Sequence, residues 1–350
     1  MRSRSRSLLC VAAVILFVAA CNEGGEGEVT TTQTPTPIIT PTSEAAMTTG
    51  PDTTTTLPRG NPVPRGYLAM TSLGDRGGVM VYGGFSGPPP DGTELTDTWT
   101  YTATAGWTDM APQGPGVGSI AIAHDSESDR VIMASFDGDL WAYDPSSNGW
   151  EMKVEGVSGG LVYDIESDAT IAMEPSAITA YDFDTNTWTE MEPATGAMPP
   201  REWPAMAYDL SCDRVIVFGG YDPLLGDTWA YDFNTNTWTK LAPEVSPPAR
   251  GYSAMAYDPA SKRTILFGGI FVSETIDDTW AFDCAANTWT ELATDVAPSP
   301  RGKHGMAFNA EDGTIVLFGG GPLVGKYPNW EGLADTWIFD PVAENWSPIS

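Results

Sequence analysis

The sequence predicts an all-β fold made of repeated four-stranded units, and three observations predict it. Tryptophans recur in frame: Trp107, Trp150, Trp188, Trp238, Trp289 and Trp346 close six successive units, and Trp99, Trp141, Trp229, Trp280 and Trp337 stand earlier in five of them. A glycine pair ends an apolar run at Gly83-Gly84, Gly219-Gly220, Gly268-Gly269 and Gly319-Gly320. In the clearest copy, residues 201–241, no segment has the 3.6-residue apolar spacing of a helix.

That copy justifies the four strands in order. Residues 202–208 are a first apolar run (strand a), 209–213 hold turn formers, and 214–218 are a β-branched and aromatic run (strand b) that stops at Gly219-Gly220. After a loop, large Trp229 and Tyr231 alternate with small Thr228 and Ala230 (strand c), 232–236 turn the chain, and 237–241 return (strand d). A sheet with large side chains on one face and small ones on the other interlocks with a neighbour of the same kind, so each unit needs a second beside it. The glycine pair allows a tight bend or close backbone approach that a Cβ would block.

From the start of the chain, Arg2, Arg4 and Arg6 precede an apolar run over 8–20 that ends Val18-Ala19-Ala20-Cys21. The run is too short to span a bilayer comfortably and has the layout of a secretory signal peptide, residues 1–20. Its end resembles the lipobox of bacterial lipoproteins, which implies cleavage before Cys21 and a lipid on that thiol. Residues 21–60 then form a Thr/Pro-rich tether with almost no large apolar side chain. Extended at about 3.1 Å per residue, it would reach roughly 120 Å. The expectation is a lipoprotein on the extracytoplasmic side of a bacterial cell envelope, held to the membrane by its lipid alone.

The net charge is −29, and without the three signal arginines 14 basic residues face 46 acidic ones, a net of −32. That excludes nucleic acid and argues against an anionic membrane surface as partners. No cofactor is expected. Calcium is the lesser alternative: carboxylates occupy turns such as 125–129 and Glu311-Asp312, but without an EF-hand-like spacing. With Cys10 in the signal and Cys21 lipidated, Cys212 and Cys284 remain, one in an a–b turn and the other in the c–d turn of the next unit. Both turns emerge on one face, so export leaves a disulfide and two separate thiols as alternatives.

The glycine pairs, the c-strand aromatics and the d-strand Trp, recurring in that order at a period of about 50, resemble kelch repeats over residues 61–350. The resemblance implies a six-bladed kelch-type β-propeller with four-stranded antiparallel blades around a central channel. Units 2 and 3 depart from it: Ser135-Phe136 and Glu174-Pro175 replace the glycine pair, and Tyr181 stands beside the place of the third unit's c-strand Trp. A first strand a near Tyr67 and a last strand d near Trp346 predict closure of blade 6 on blade 1 without strand exchange.

Candidate site residues cluster at one mouth. Arg65, Arg201, Arg250 and Arg301 open four units, and the same units begin strand c with Asp97, Asp227, Asp278 and Asp335. Either each Arg–Asp pair locks its blade, or the arginines form a basic ring for a carboxylate- or phosphate-bearing ligand. Two positions beyond each Arg stand Tyr67, Trp203, Tyr252 and Lys303, placed to stack on a ligand or to plug the mouth. The b–c loops are long in unit 1 (85–96) and unit 6 (321–334) and almost absent in units 2 and 3, which predicts a cleft with one raised wall. Lys326, Tyr327 and Trp330 in the unit 6 loop complete the expected ligand-binding set.

Signals for catalysis are sparse. His124 and His304 belong to no metal-ligand cluster, so the copper site of galactose oxidase, a kelch-like enzyme needing histidine and tyrosine ligands, does not carry over. The sialic acid mutarotases keep a carbohydrate-active reading open. The expectation is a monomeric, envelope-anchored binding module for a protein or glycan. The alternative is a carbohydrate-active enzyme, mutarotase- or oxidase-like, using the channel mouth.

Overall fold

The computed structural model describes residues 60–87, 92–110, 114–116, 118–157, 159–174, 177–193, 195–324 and 329–349. The residues of the expected signal peptide and tether lie outside them except for Gly60, as do Cys21, Lys326 and Tyr327.

Six antiparallel four-stranded sheets follow one another, each in the order a-b-c-d with no strand exchanged between them. Blade 1 is β1 (Ala69–Ser72), β2 (Val79–Phe85), β3 (Glu94–Thr102) and β4 (Gly106–Asp109). Blade 2 is β5 (Ser119–Asp125), β6 (Arg130–Ser135), β7 (Asp139–Asp144) and β8 (Gly149–Glu155). Blade 3 is β9 (Gly160–Asp164), β10 (Ala169–Met173), β11 (Ile178–Asp182) and β12 (Thr187–Met191). Blade 4 is β13 (Ala205–Asp209), β14 (Arg214–Gly220), β15 (Leu225–Asp232) and β16 (Thr237–Leu241). Blade 5 is β17 (Ala254–Asp258), β18 (Arg263–Phe271), β19 (Glu274–Asp283) and β20 (Thr288–Leu292). Blade 6 is β21 (Gly305–Asn309), β22 (Thr314–Phe318), β23 (Thr336–Asp340) and β24 (Asn345–Ile349). The innermost strands touch in the cycle β1, β5, β9, β13, β17, β21 and back to β1, which closes a six-bladed propeller.

The turns follow from their residues. In blade 4 the Asp209 carboxylate accepts the Ser211 amide (3.0 Å) and the Asp232 carboxylate the Thr235 amide (2.9 Å). Asp213 and Asn236 then take left-handed φ values of 54° and 50°, which Asp and Asn tolerate better than other side chains. The Asn236 side-chain oxygen also accepts the Tyr231 hydroxyl (2.8 Å), so the turn holds the strand that leads into it. Strand a of this unit begins at Ala205, not at 202 as the apolar run predicts, because Trp203 is left-handed (φ 53°) and breaks the extended run.

Large side chains face small ones at the junctions on either side of blade 5. Between blades 4 and 5, Ala205, Ala207 and Ala230 meet Met255, Trp280 and Phe282. Between blades 5 and 6, Ala256 and Ala281 meet Met306, Phe339 and Trp346. Each fully buried aromatic of this kind contributes on the order of 2 kcal/mol of transfer free energy. Hydrogen bonds tie the same surfaces. The indole N–H of four of the six d-strand tryptophans donates to a c-strand Thr of the preceding blade: Trp107 to Thr336 (2.8 Å), Trp150 to Thr98 (3.3 Å), Trp289 to Thr228 (3.0 Å) and Trp346 to Thr279 (3.0 Å).

Cys212 and Cys284 are joined by a disulfide, with Cα atoms 6.1 Å apart, that links the a–b turn of blade 4 to the c–d turn of blade 5.

Candidate functional site

The b–c loop face is built around the four arginines. Each is 0–3 % exposed. Arg250 shows the pattern: its Nε donates to the Pro248 carbonyl (3.0 Å), its Nη1 to the Gly268 carbonyl (3.0 Å), and both Nη atoms to the Asp278 carboxylate. Arg65, Arg201 and Arg301 repeat it with Gly83 and Asp97, Gly219 and Asp227, and Gly319 and Asp335. Each Asp in turn accepts the indole N–H of the Trp two residues on, as Asp227 does from Trp229 (2.8 Å). Burial works against ionised Asp227, yet the bonds from Arg201 and Trp229 overcome it and bring the carboxyl down to about 2. Asp97 and Asp335 are lowered by the same balance of burial against arginine.

The glycine pair makes this possible. The first glycine is left-handed (φ 62° to 71°) and bulges the b–c ladder in blades 1, 4 and 5, turning its carbonyl onto the guanidinium. A Cβ on Gly219 would collide with the carbonyl oxygen of Arg250 in the next blade. That carbonyl accepts the Gly220 amide (2.9 Å), and the Arg250 amide donates to Leu225 (2.9 Å). Arg301 repeats the two bonds with Gly269 and Ile276, and Arg65 with Gly320 and Leu333. Each of these arginines therefore binds its own blade with its side chain and the preceding blade with its backbone. Of the two alternatives for these arginines, the geometry is that of the clasp: each guanidinium is buried and bonded to backbone carbonyls and an aspartate of its own blade.

The residues two positions on come together as a plug. Tyr67, Trp203, Tyr252 and Lys303 all have left-handed φ (53° to 64°), and their backbones form an arc: Tyr252 N–H to Trp203 (3.0 Å), Lys303 N–H to Tyr252 (2.9 Å), Tyr67 N–H to Lys303 (2.9 Å). Trp203 and Tyr252 stack (5.3 Å, 21°), and the Tyr67 ring stands edge-on to both, at 5.6 and 5.9 Å. The Lys303 ammonium lies 4.7 Å from the Tyr67 ring centre and 5.4 Å from those of Tyr252 and Trp330. Burial brings its pKa down to about 7. Among these rings a partly open cavity of about 120 Å³ is lined by Tyr67, Leu68, Phe136, Trp203, Pro204, Tyr252, Ser253, Lys303 and His304. His304 is fully enclosed, and burial followed by repulsion from Arg301 takes its pKa down to about 3.

The long loop of unit 6 meets the segment that opens unit 1, the Arg65 amide donating to the Leu333 carbonyl (3.1 Å). Trp330, expected to face a ligand, is instead 3 % exposed. Its indole covers Gly66, where a Cβ would sit 2.6 Å from the ring, so this loop spends its extra aromatic on the junction of blades 6 and 1. Lys326 and Tyr327 fall outside the described residues.

Blade 5 carries its b and c strands outward beyond the clasp. Past the glycine bulge, Ile270 pairs with Thr275 and Phe271 with Glu274, so the strands run on as a projecting hairpin around Val272-Ser273. The tip carries Phe271 and Val272, 41 % and 58 % exposed. Nothing in the residue pattern signalled it, since a run of β-formers reads equally well as strand or loop. Between this hairpin and the blade 6 loop lies an open groove of about 450 Å³, lined by Ser273, Glu274, Thr275, Ser299, Pro300, Pro322 and Leu323.

The comparison with curated proteins returned no match. A family model, the KLHDC2/KLHL20/DRC7 Kelch-repeats domain, matches residues 157–350, which hold blades 3 to 6. With glycine bulges and Trp-closed four-stranded blades recurring around a ring, the chain belongs to the kelch-repeat family, whose propellers in general serve as protein-interaction modules.

Proposed function

We propose that the chain is a monomeric binding module of the bacterial cell envelope, lipidated at Cys21, which recognises a partner protein through the b–c loop face of its propeller. The observation that carries recognition is a contrast within that face. The channel mouth is filled by the chain's own rings, while Phe271, Val272 and Val324 stand exposed on the loops around it. Sites that enclose small molecules occupy roughly 300–1,000 Å³, well above the 120 Å³ found among the plug residues. Its lining brings Lys303 and His304 together without a carboxylate beside them. The larger groove is open and has no ring in its lining. A glycan needs an accessible aromatic face, and Trp203 and Tyr252 have theirs against each other. Protein therefore ranks ahead of glycan. The net charge of −29 favours a basic partner and opposes self-association.

The propeller, residues 61–350, immobilised on a sensor, is expected to bind an envelope fraction and to lose that binding when the fraction is treated with protease. Loss on glycosidase treatment alone would replace protein by glycan. For the anchor, labelled palmitate is expected in the full chain and absent from Cys21→Ser; label retained by the variant would remove the lipid from this reading.

A further inference from the structure

The tip of the blade 5 hairpin combines features that do not occur together elsewhere among the described residues. It is a two-residue turn, Phe271 and Glu274 being its last pair. Val272, the first loop residue, has φ 55°, whereas Ser273 is not left-handed. Among two-residue hairpins that is the place a type II′ turn gives to glycine. A β-branched residue there is an outlier whose Cβ crowds the backbone, and such strain persists only where the surroundings hold it. Here the hold is visible: the Tyr221 hydroxyl, reaching from blade 4, donates to the Val272 carbonyl (2.7 Å), and the Tyr221 ring packs on Tyr252 of the plug (5.1 Å). The clamp presents two apolar side chains to solvent at a site where glycine would relieve the strain.

Among the described residues, the exposed charged side chains on the neighbouring loops are acidic. Glu274 and Asp277 on the hairpin, Asp222 and Glu202 on the blade 4 side, and Glu331 on the blade 6 loop are all exposed. The described b–c loop residues of blades 4, 5 and 6 include no Lys or Arg between their strand ends, apart from the far side of the buried clasps. An apolar knob ringed by acid is complementary to an apolar pocket rimmed by Lys and Arg. A second copy of this chain would bring acid against acid, and an anionic membrane surface would repel the same ring.

We propose that Phe271 and Val272 form a strained anchor that inserts into an apolar pocket, rimmed by basic residues, on a partner protein. This rests on the protein-recognition reading and sharpens it to one hairpin.

The test places a photo-reactive phenylalanine analogue at position 271 of the full chain in the producing cells, with the same probe at 222 on the neighbouring loop. A third probe at Val342 serves as control, being 91 % exposed in a c–d turn on the opposite face. The expected result is an adduct from 271, not from 342, whose cross-linked peptide lies in a pocket flanked by Lys or Arg. In washed envelopes its yield falls with added salt. The variant Val272→Gly should cut that yield at least tenfold while raising the melting temperature by about 2 °C, because it removes strain and anchor together. A merely structural turn would leave the yield unchanged. Adducts from 222 but not 271 overturn the anchor and leave protein recognition standing. Adducts from 271 to lipid or to a second copy of this chain overturn the anchor as well, and adducts from neither loop position overturn both readings.

Discussion

Blades 4, 5, 6 and 1 form an arc that differs from blades 2 and 3 in how its junctions are made. In the arc, a buried arginine ties strand b to strand c, its backbone bonds reach the preceding blade at three junctions, and an indole-to-threonine bond crosses from blades 5 to 4, 6 to 5 and 1 to 6. Blades 2 and 3 have neither the arginine nor the glycine pair. At the blade 2 place of the crossing Thr stands Leu140, which cannot accept a bond from Trp188. In blade 3, Thr179 occupies the pairing position of the c-strand Trp, opposite Glu190 as Trp229 is opposite Lys240, and its hydroxyl has no hydrogen-bond partner among the described residues. Apolar packing alone suffices to shape a blade; the polar clasp adds a fixed loop face. The plug and the projecting hairpin both sit on the clasped arc.

The largest effect should come from opening a clasp. Arg250→Ala leaves the Gly268 carbonyl and Asp278 without their donor and is expected to cost about 3 kcal/mol in urea unfolding. Asp139→Ala, in blade 2 where no such arginine exists, should stay within about 0.5 kcal/mol. Equal losses would erase the distinction between the two regions.

Next is the disulfide, which belongs to the arc alone. Cys212→Ser with Cys284→Ser opens a loop of 72 residues and is expected to lower stability by about 2–4 kcal/mol. The wild-type protein in reductant should match the variant.

Acid sharpens the contrast through the two histidines. His304 in blade 6 has its pKa down at about 3 through burial. His124 in blade 2 is also lowered by burial, but the nearby Asp129 carboxylate opposes the shift. Between the ordinary histidine value and about 3, the unfolded chain holds a proton that folded His304 lacks, so stability falls as pH is lowered through that window. His304→Ser, the residue blade 5 has at this place, is expected to recover on the order of 2 kcal/mol of the loss at acid pH. A His124→Ser variant should recover less. The smallest effect is expected for the crossing bonds: Trp289→Phe should cost about 1 kcal/mol beyond Trp188→Phe, because only Trp289 has a threonine to lose.

The frame of the fold was legible because its markers are chemically irreplaceable: only glycine fits the left-handed bulge at Gly219, and only a Trp both fills the junction and donates across it. The Arg–Asp pairing could be read as one of two alternatives from co-occurrence, because the burial of the arginines depends on neighbours far away in sequence. Trp330 misled because an aromatic outside the repeat looks like a spare ligand contact, and what it covers, the bare backbone of Gly66, lies more than 260 residues away in sequence. The Val272 turn was illegible in principle, since valine in a run of β-formers carries no hint of a left-handed φ.

The junction of blades 6 and 1 makes the same bonds as that of blades 5 and 6: Trp107 to Thr336 beside Trp346 to Thr279, and Tyr67 to Lys303 beside Lys303 to Tyr252. The ring accordingly has no privileged seam. A circularly permuted chain, opened in the linker between blades 4 and 5 and joined from Ile349 back to Gly60 by a flexible peptide, should fold to the same propeller. It would move the point at which the propeller is attached from blade 1 to blade 5.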